Sequence, residues 1–273
     1  MNPMQTADTV IEPIAAATGA PTWSEAEWAV RKDLAAAYRL MAHLGLDDSI
    51  YTHISVRVPG RHDQFLINPY GMLFRDVTAS SLVKVGVDGL LVEPSDYDVN
   101  PAGFTIHSAL HMARHDATCI VHTHTVGGVA VSSMACGLQP CNQWALQFYH
   151  RVAYHDFEGI ALNHEERERL VRDMGTEHKA LILRNHGLLT IGATVAEAFI
   201  NMLNLERACR VQVAIQSAGQ ITQVVPTDVC ELTARQYEEG ASNRLPGAAD
   251  PHAREWRAMK QRLQPGSTVP YDA

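Results

Sequence analysis

The chain has 273 residues, of which 46% are hydrophobic and 19% charged, a composition that predicts a folded globular protein and excludes a disordered or fibrous one. Its formal net charge of -8 argues against binding to nucleic acid or to a membrane surface, because both require clustered Lys and Arg. The 14 histidines outnumber the four lysines more than threefold, and histidine is the commonest metal ligand.

The cysteines and the hydropathy pattern indicate a reducing compartment and no membrane span. The five cysteines are odd in number and include no C-x-x-C pair, so we expect reduced thiols in a cytoplasmic protein rather than a disulfide framework. No segment approaches 18 consecutive apolar residues, and residues 1–22 contain no Lys or Arg, so neither a transmembrane helix nor a standard export signal is expected. Residues 1–22, rich in Ala, Pro and Thr, are predicted to be a disordered tail.

The residues after this tail predict one helix and then a β-meander. Ser24 and Glu27 have the spacing of a capping box, and apolar residues recur at helical spacing until Gly45. The hydrophobic period then changes to two, and Pro59-Gly60 and Asp88-Gly89 supply turns between strands. The predicted strands are 53–58, 64–68, 82–87 and 90–92.

From about residue 103 helices alternate with strands, which is the pattern of an α/β domain. Thr194 and Glu197 repeat the capping-box spacing at the start of the longest predicted helix. We therefore expect one domain over residues 23–220, followed by a C-terminal extension of short helices over 221–273. The predicted elements are helices near 103–114, 126–134, 194–217 and 253–263, and strands near 118–124, 180–184 and 188–191.

Three histidines are candidate metal ligands. His122 and His124 lie two residues apart on a predicted strand, so they share one face at its C-terminal end, where α/β sheets place their sites. A catalytic metal site needs a third protein ligand, and His186 lies in a polar Arg-Asn-His-Gly turn between two apolar strands. Gly187 is expected to give that turn a tight or positive-φ backbone. A purely structural role for the pair and for the turn is the alternative.

A second group of histidines repeats at helical spacing. His107, His111 and His115 lie four residues apart, so on a helix they form one stripe. We expect His107 to lie on the side of the candidate metal site, behind its ligands. His111 and His115 are expected to belong to a solvated face.

Several motifs, in this order, resemble the class II aldolase and adducin family over roughly residues 24–220. The family's metal-site pattern is similar to the segment that contains His107, Arg114, Asp116 and Val121-His122-Thr123-His124, followed later by Arg184-Asn185-His186-Gly187. The resemblance is to the adducin branch in particular, of which the chain would be the head domain only. The segments that carry this part of the resemblance are 53–58, 66–73, 77–84, 100–104 and 153–156.

The resemblance implies a fold, a cofactor and an assembly. The fold would be α/β, a three-layer α/β/α arrangement with a central, mainly antiparallel or mixed sheet. His122, His124 and His186 would hold a divalent metal, zinc above all, with iron or manganese as alternatives. The protein would act on a small-molecule substrate as a homotetramer, with its site near a subunit interface.

The chain departs from the family's sugar-phosphate aldolases at their catalytic carboxylate. That carboxylate, by the resemblance, shuttles protons at the carbon being cleaved, and its position falls on Gly103, which cannot accept a proton. The family's small phosphate-binding residues correspond here to 49–53 and Pro101-Ala102, which are bulky or apolar. A phosphorylated substrate is therefore not expected.

Two further histidines are candidates for the acid-base role. His53 replaces a residue that contacts substrate in the family, and it could act as a general base or an added ligand. His155 is the other candidate, provided that the backbone turns so that Asp156 can orient it. A packed, hydrogen-bonded histidine is the alternative for both.

Three functions remain open. The first is a metal-dependent lyase of the aldolase type acting on a small, unphosphorylated 2-oxo or hydroxycarbonyl compound. The second is a non-haem Fe(II) oxygenase of the same fold acting on a 2-oxo acid, because a small group of the family resembles this chain in size and uses a similar histidine site. The third is a non-catalytic, adducin-like assembly domain. Actin or spectrin binding is not expected, since the chain has four lysines and lacks the adducins' Lys-rich tail.

Overall fold

The computed structural model describes residues 23–160, 165–219, 223–240, 250–263 and 269–273. The predicted tail over 1–22 lies outside the described residues. The helices are α1 (Glu25–His43), α2 (Pro101–Ala113), α3 (Val126–Ser132), α4 (Gln143–Gln147), α5 (Glu166–Met174), α6 (Val195–Ser217), α7 (Thr227–Glu238) and α8 (Ala253–Lys260). The strands are β1 (His53–Arg57), β2 (Gln64–Ile67), β3 (Val83–Gly86), β4 (Cys119–Thr123), β5 (Val152–His155), β6 (Ala180–Leu183) and β7 (Gly187–Gly192).

The two longest helices begin where their capping residues predict. The backbone N–H of Glu27 donates to Oγ of Ser24, and that of Glu197 donates to Oγ1 of Thr194, both over 3.1 Å. Each side chain thereby satisfies one of the amides that a helix start leaves unpaired. Gly45 follows α1 with a φ of 65°, a left-handed conformation that glycine adopts without steric cost.

The seven strands form one mixed sheet in the order β3-β2-β1-β4-β7-β6-β5. All neighbours pair antiparallel except β5 and β6, which are parallel. The hairpin predicted around Pro59-Gly60 forms as β1 and β2. The prediction of a strand over 90–92 was wrong, because that segment pairs with β3 only through an isolated bridge between Val85 and Leu91.

Helices cover both faces of the sheet and make three layers. On one face α1 and α6 bury Leu40 and Phe199 against Val121 of β4, and α3 and α8 join the same core. On the other face Leu110 of α2 packs with Ile120 of β4, and α5 completes this layer. The predicted α/β/α arrangement is therefore confirmed. Within the part of the chain that is described, no helix is long and apolar enough to cross a membrane.

The alternation of side chains along β1 sends apolar and polar residues to opposite faces. Ile54 of β1 enters the core beneath α1 and α6, whereas His53 and Ser55 face α2 and contact His107. Strands β1 and β4 are neighbours, with His53 directly opposite His122. Buried polar side chains therefore gather between the centre of the sheet and α2, where β4 ends.

Candidate metal and acid-base site

Three imidazoles meet where β4 ends. His122 belongs to β4, His124 follows shortly after its last residue, and His186 lies in the turn between β6 and β7. Nε2 of His124 lies 2.9 Å from Nε2 of His122 and 2.9 Å from Nε2 of His186. One nitrogen from each of the three rings lies within 4.8 Å of the other two. The three histidines that the sequence analysis named as candidate ligands are thus neighbours in space.

Hydrogen bonds at the far side of two rings orient them. Nδ1 of His122 lies 2.9 Å from the carbonyl oxygen of Leu188, which can only accept, so Nδ1 carries the proton and Nε2 keeps its lone pair. Nδ1 of His124 lies 3.0 Å from Oδ2 of Asp48, a carboxylate that orients a ligating ring in the same way. No pattern in the sequence indicated Asp48. The next residue, Ser49, has a φ of 52°, a conformation that is common near functional sites.

The turn that carries His186 depends on two neighbouring residues. Asn185 has the positive φ, at 57°, so of the two alternatives expected for Gly187, a tight or a positive-φ backbone, the positive φ does not hold. Gly187 is needed for another reason: a Cβ there would lie 2.3 Å from the carbonyl oxygen of Thr123. Glycine therefore lets β7 approach the end of β4 closely, and this approach holds His186 beside His124.

The electrostatics of the cluster favour neutral imidazoles. Burial, assisted by the neighbouring His186 and His53, lowers the pKa of His122 well below its ordinary value. Burial and the adjacent His124 lower the pKa of His186 to about 4. A neutral imidazole is the form that coordinates metal. Tetrahedral zinc bonded at about 2.0–2.1 Å spaces its nitrogen ligands about 3.3 Å apart. Two pairs of these nitrogens lie 2.9 Å apart and all three lie within 4.8 Å of one another, so the donor set fits such an ion after adjustment of the rings.

His53 fills the volume beside Gly103. A Cβ at residue 103 would lie 2.5 Å from Cδ2 of the His53 ring, so glycine alone leaves room for that ring. The rings of His53 and His122 have their centroids 5.0 Å apart, and Nδ1 of His53 lies 2.8 Å from Nε2 of His107. Burial, followed by the neighbouring histidines, lowers the pKa of His53 well below its usual range. A histidine therefore adjoins the position at which the family resemblance leads us to expect a carboxylate.

His155, at the end of β5, is oriented by a residue distant in sequence. Its Nδ1 lies 2.8 Å from Oδ2 of Asp173 in α5, whereas Asp156 is 91% exposed and pairs with Arg184. The condition for Asp156 to orient His155 is therefore not met, and Asp173 takes this place. Nε2 of His155 has no hydrogen-bond partner among the described residues, and this histidine and His186 line the same small cavity.

The histidine stripe on α2 is more deeply buried than predicted. His107 is fully buried and contacts His53, on the side of the cluster, as expected. His111 is only 1% exposed, so the prediction that it belongs to a solvated face was wrong. It is buried because α2 lies flat on the sheet, where Ser55 and the carbonyl of Ala117 supply its partners. His115, beyond the end of α2, is exposed as predicted.

The fold and the histidine cluster together define an aldolase-like α/β/α class of protein. The family model of the Class II Aldolase and Adducin N-terminal domain matches residues 32–213, and the chain belongs to this family. A "putative aldolase class 2 protein" of Pseudomonas aeruginosa is 55% identical over 240 residues, which cover 88% of this chain and 91% of that protein.

Two further comparisons mark the range of the family. Alpha-adducin of Rattus norvegicus is 45% identical over 221 residues, which cover 80% of this chain and 30% of alpha-adducin. The solved structure of an L-fuculose 1-phosphate aldolase from Glaciozyma antarctica superimposes with a TM-score of 0.73 at 30% identity. That match covers 89% of this chain and 93% of the aldolase. The chain is thus similar both to an aldolase and to part of a much longer protein.

Proposed function

We propose that the protein is a divalent-metal-dependent lyase of the class II aldolase type that acts on a small, unphosphorylated carbonyl compound. The observation that carries the proposal is the convergence of nitrogens from His122, His124 and His186 at the end of a central strand. Membership of the family supports the reaction class. Zinc is the proposed ion because it favours nitrogen ligands in a tetrahedral set, and iron or manganese are the alternatives for the same histidines.

Different residues would bind the metal, orient its ligands and transfer a proton. A bound divalent ion would supply a Lewis acid that polarises the substrate carbonyl. Leu188 and Asp48 hold the rings of His122 and His124 so that both present Nε2 to the same point. His53 would exchange a proton with the substrate in place of the carboxylate that residue 103 lacks, because its buried ring is neutral and adjoins the cluster. His155, held by Asp173, is the second candidate for this role.

The start of α2 supports an unphosphorylated substrate. Phosphate binds at helix N-termini through backbone amides that have no other partner. Here Pro101 has no N–H, and the N–H of Ala102 already donates to Oδ1 of Asn100 over 3.1 Å. Two of the amides that could bind a phosphate at this helix end are therefore absent or occupied.

We also propose that the protein assembles as a homotetramer in the cytoplasm. The resemblance to the family supports the assembly, and the five unpaired cysteines support a reducing compartment. Light scattering at micromolar concentration should give four times the mass of the chain, and a monomer would contradict the assembly.

Metal analysis of the purified protein tests the proposed function. We expect about one zinc ion per chain in the wild type and loss of that ion in the His122→Ala, His124→Ala double variant. The matched control is His62→Ala, His115→Ala, which removes two exposed histidines whose ring centroids lie 5.6 Å apart and should leave the metal content unchanged. A folded wild-type protein without metal would overturn the proposal, as would equal metal loss in both double variants.

Turnover then separates the reaction classes. Cleavage of a hydroxycarbonyl compound by the zinc protein, abolished in His53→Asn with the metal retained, would support the lyase. Iron together with oxygen consumption on 2-oxo acids would instead support the oxygenase. A metal-free protein that assembles with other proteins would support the adducin-like role that the similarity to alpha-adducin suggests.

A further inference from the structure

A buried hydrogen-bond chain leads from His53 to the far end of α2. Nδ1 of His53 lies 2.8 Å from Nε2 of His107, and Nδ1 of His107 lies 2.5 Å from Oγ of Ser55. The same Oγ lies 2.7 Å from Nε2 of His111, whose Nδ1 lies 3.0 Å from the carbonyl oxygen of Ala117. All four linked side chains are at most 3% exposed, so water does not compete for these bonds.

The hydrogen-bond chain forms because the residue spacing on β1 matches that on α2. His53 and Ser55 lie two residues apart on β1, so both face α2, whereas His107 and His111 lie four residues apart on α2, so both face the sheet. The strand and the helix therefore contribute alternate members. This arrangement is a property of four residues together and not of any one histidine.

The carbonyl at the end gives the chain a direction. A carbonyl oxygen only accepts, so Nδ1 of His111 must donate and Nε2 of that neutral ring must accept. Ser55 has a single O–H, which it donates to His111, so its oxygen accepts from Nδ1 of His107. Nε2 of His107 then accepts in turn, and the proton in the last link lies on Nδ1 of His53.

The opposite direction would require a proton on both nitrogens of His111. Burial, together with the charge of Arg57, lowers the pKa of His111 to about 3, so this ring is neutral near pH 7. A neutral His111 with its proton on Nε2 would set the lone pair of Nδ1 against the carbonyl oxygen of Ala117 at 3.0 Å, which is repulsive. One direction is therefore strongly favoured.

We propose that this chain fixes His53 in the tautomer with its proton on Nδ1 and its lone pair on Nε2. Ser55, His107 and His111 are then positioning residues for the imidazole that adjoins the three-histidine cluster. The tautomer follows from the hydrogen bonds together with the neutral His111 ring, whereas its use in proton transfer rests on the proposed function. The hydrogen bond found for His53 uses Nδ1, so the lone pair on Nε2 is the one that would take up a substrate proton.

Two variants of Ser55 that are isosteric with each other test the proposal. Ser55→Thr keeps a hydroxyl that can both donate and accept, whereas Ser55→Val has the same shape without it. Nitrogen NMR of histidine-labelled protein reports directly which ring nitrogen carries the proton, and the signals of His53 are those that disappear in His53→Gln. We expect a single Nδ1–H tautomer in the wild type and in Ser55→Thr, and a second tautomer in Ser55→Val.

The outcomes separate this proposal from the proposed function. A wild-type His53 protonated on Nε2 would overturn the proposal, as would the same single tautomer in Ser55→Val and Ser55→Thr. The wild-type spectrum decides the question even if a variant fails to fold. Recording the spectra with zinc added and after chelation keeps the result independent of metal, since absence of metal would overturn the function and leave the tautomer unaffected.

Discussion

Two buried polar networks in this structure differ in how they end. One lies at the edge of the sheet, where Arg31 and Lys84 meet Glu27 and Glu93 between α1 and β3. The other lies near the centre of the sheet, where three histidines and Ser55 link β1 to α2. The first network is built from opposite charges and the second from neutral rings.

The charged network is closed. Nε of Arg31 donates to Glu27 over 3.0 Å, its Nη1 donates to the carbonyl of Leu82 over 3.0 Å, and its Nη2 donates to Glu93. Lys84 lies within 3.3 Å of both carboxylates. Two cations face two carboxylates, which is how a buried charge is normally tolerated. This network joins α1 to the edge strand and offers no unpaired group to a ligand.

The histidine chain is open at one end. It begins at a backbone carbonyl and finishes at Nε2 of His53, beside the ring of His122. The hydrogen bond found for His53 uses Nδ1, so the chain ends with Nε2 of this ring beside the candidate metal ligands. Buried polarity alone therefore does not mark a site in this protein, whereas an open end beside convergent ligands does.

The largest expected effect comes from opening the closed network. Arg31→Leu removes a fully buried cation and leaves two carboxylates with Lys84 alone, so the free energy of unfolding should fall by about 3–5 kcal/mol. Urea denaturation measures this loss. The control is Arg61→Leu, which breaks an exposed pair with Asp63 and should have no measurable effect. The metal content of folded Arg31→Leu should equal that of the wild type, and a coupled loss of metal would contradict the distinction between the two networks.

A smaller effect is expected from crowding the open end. Gly103→Ala places a Cβ 2.5 Å from the ring of His53, and overpacking of this kind costs about 1–3 kcal/mol. His53→Ala removes the ring and makes room for the methyl group. In a double-mutant cycle by urea denaturation, the double variant should therefore lose less stability than the sum of the single variants. Additive losses would show that the ring and residue 103 do not share this volume.

Local patterns predicted most of the fold. The capping boxes at Ser24 and Thr194 located both long helices, and the change of period at residue 53 located the hairpin of β1 and β2. Strand β5 escaped prediction because it is four residues long and is stabilised by parallel pairing with β6, some thirty residues away in sequence. Short strands of this kind depend on tertiary partners rather than on their own pattern.

The candidate site was predictable only in part, for a similar reason. Spacing and turn chemistry identified His122, His124 and His186, because each lies at the end of a strand. The groups that orient the histidines come from elsewhere in the chain: Asp48 from the loop before β1 and Asp173 from α5. Helical period cannot show which side of a stripe is buried, since that depends on what the helix packs against.

The smallest expected effect is a loss of stability in acid. It arises in the histidine network, because His111 is neutral in the folded protein. The pKa of His111 is about 3 in the folded protein against about 6.5 when unfolded. Between these values the unfolded state binds more protons, so stability falls as the pH is lowered through 6.5. At pH 5.5 the free energy of unfolding is lower by about 1.4 kcal/mol on account of His111 than it is well above pH 6.5. Arg57, whose charge faces this ring, maintains the shift throughout this range.

A glutamine at the same position tests this contribution. The amide of Gln can accept from Ser55 and donate to the carbonyl of Ala117, but it does not titrate, so His111→Gln should lose less stability than the wild type between pH 7 and pH 5.5. The control is His115→Gln, an exposed member of the same sequence stripe, which should follow the wild type. Urea denaturation at each pH supplies the free energies. Equal acid sensitivity in the two glutamine variants would mean that His111 takes up a proton in the folded state, and the chain would then lose the neutral ring on which its direction depends.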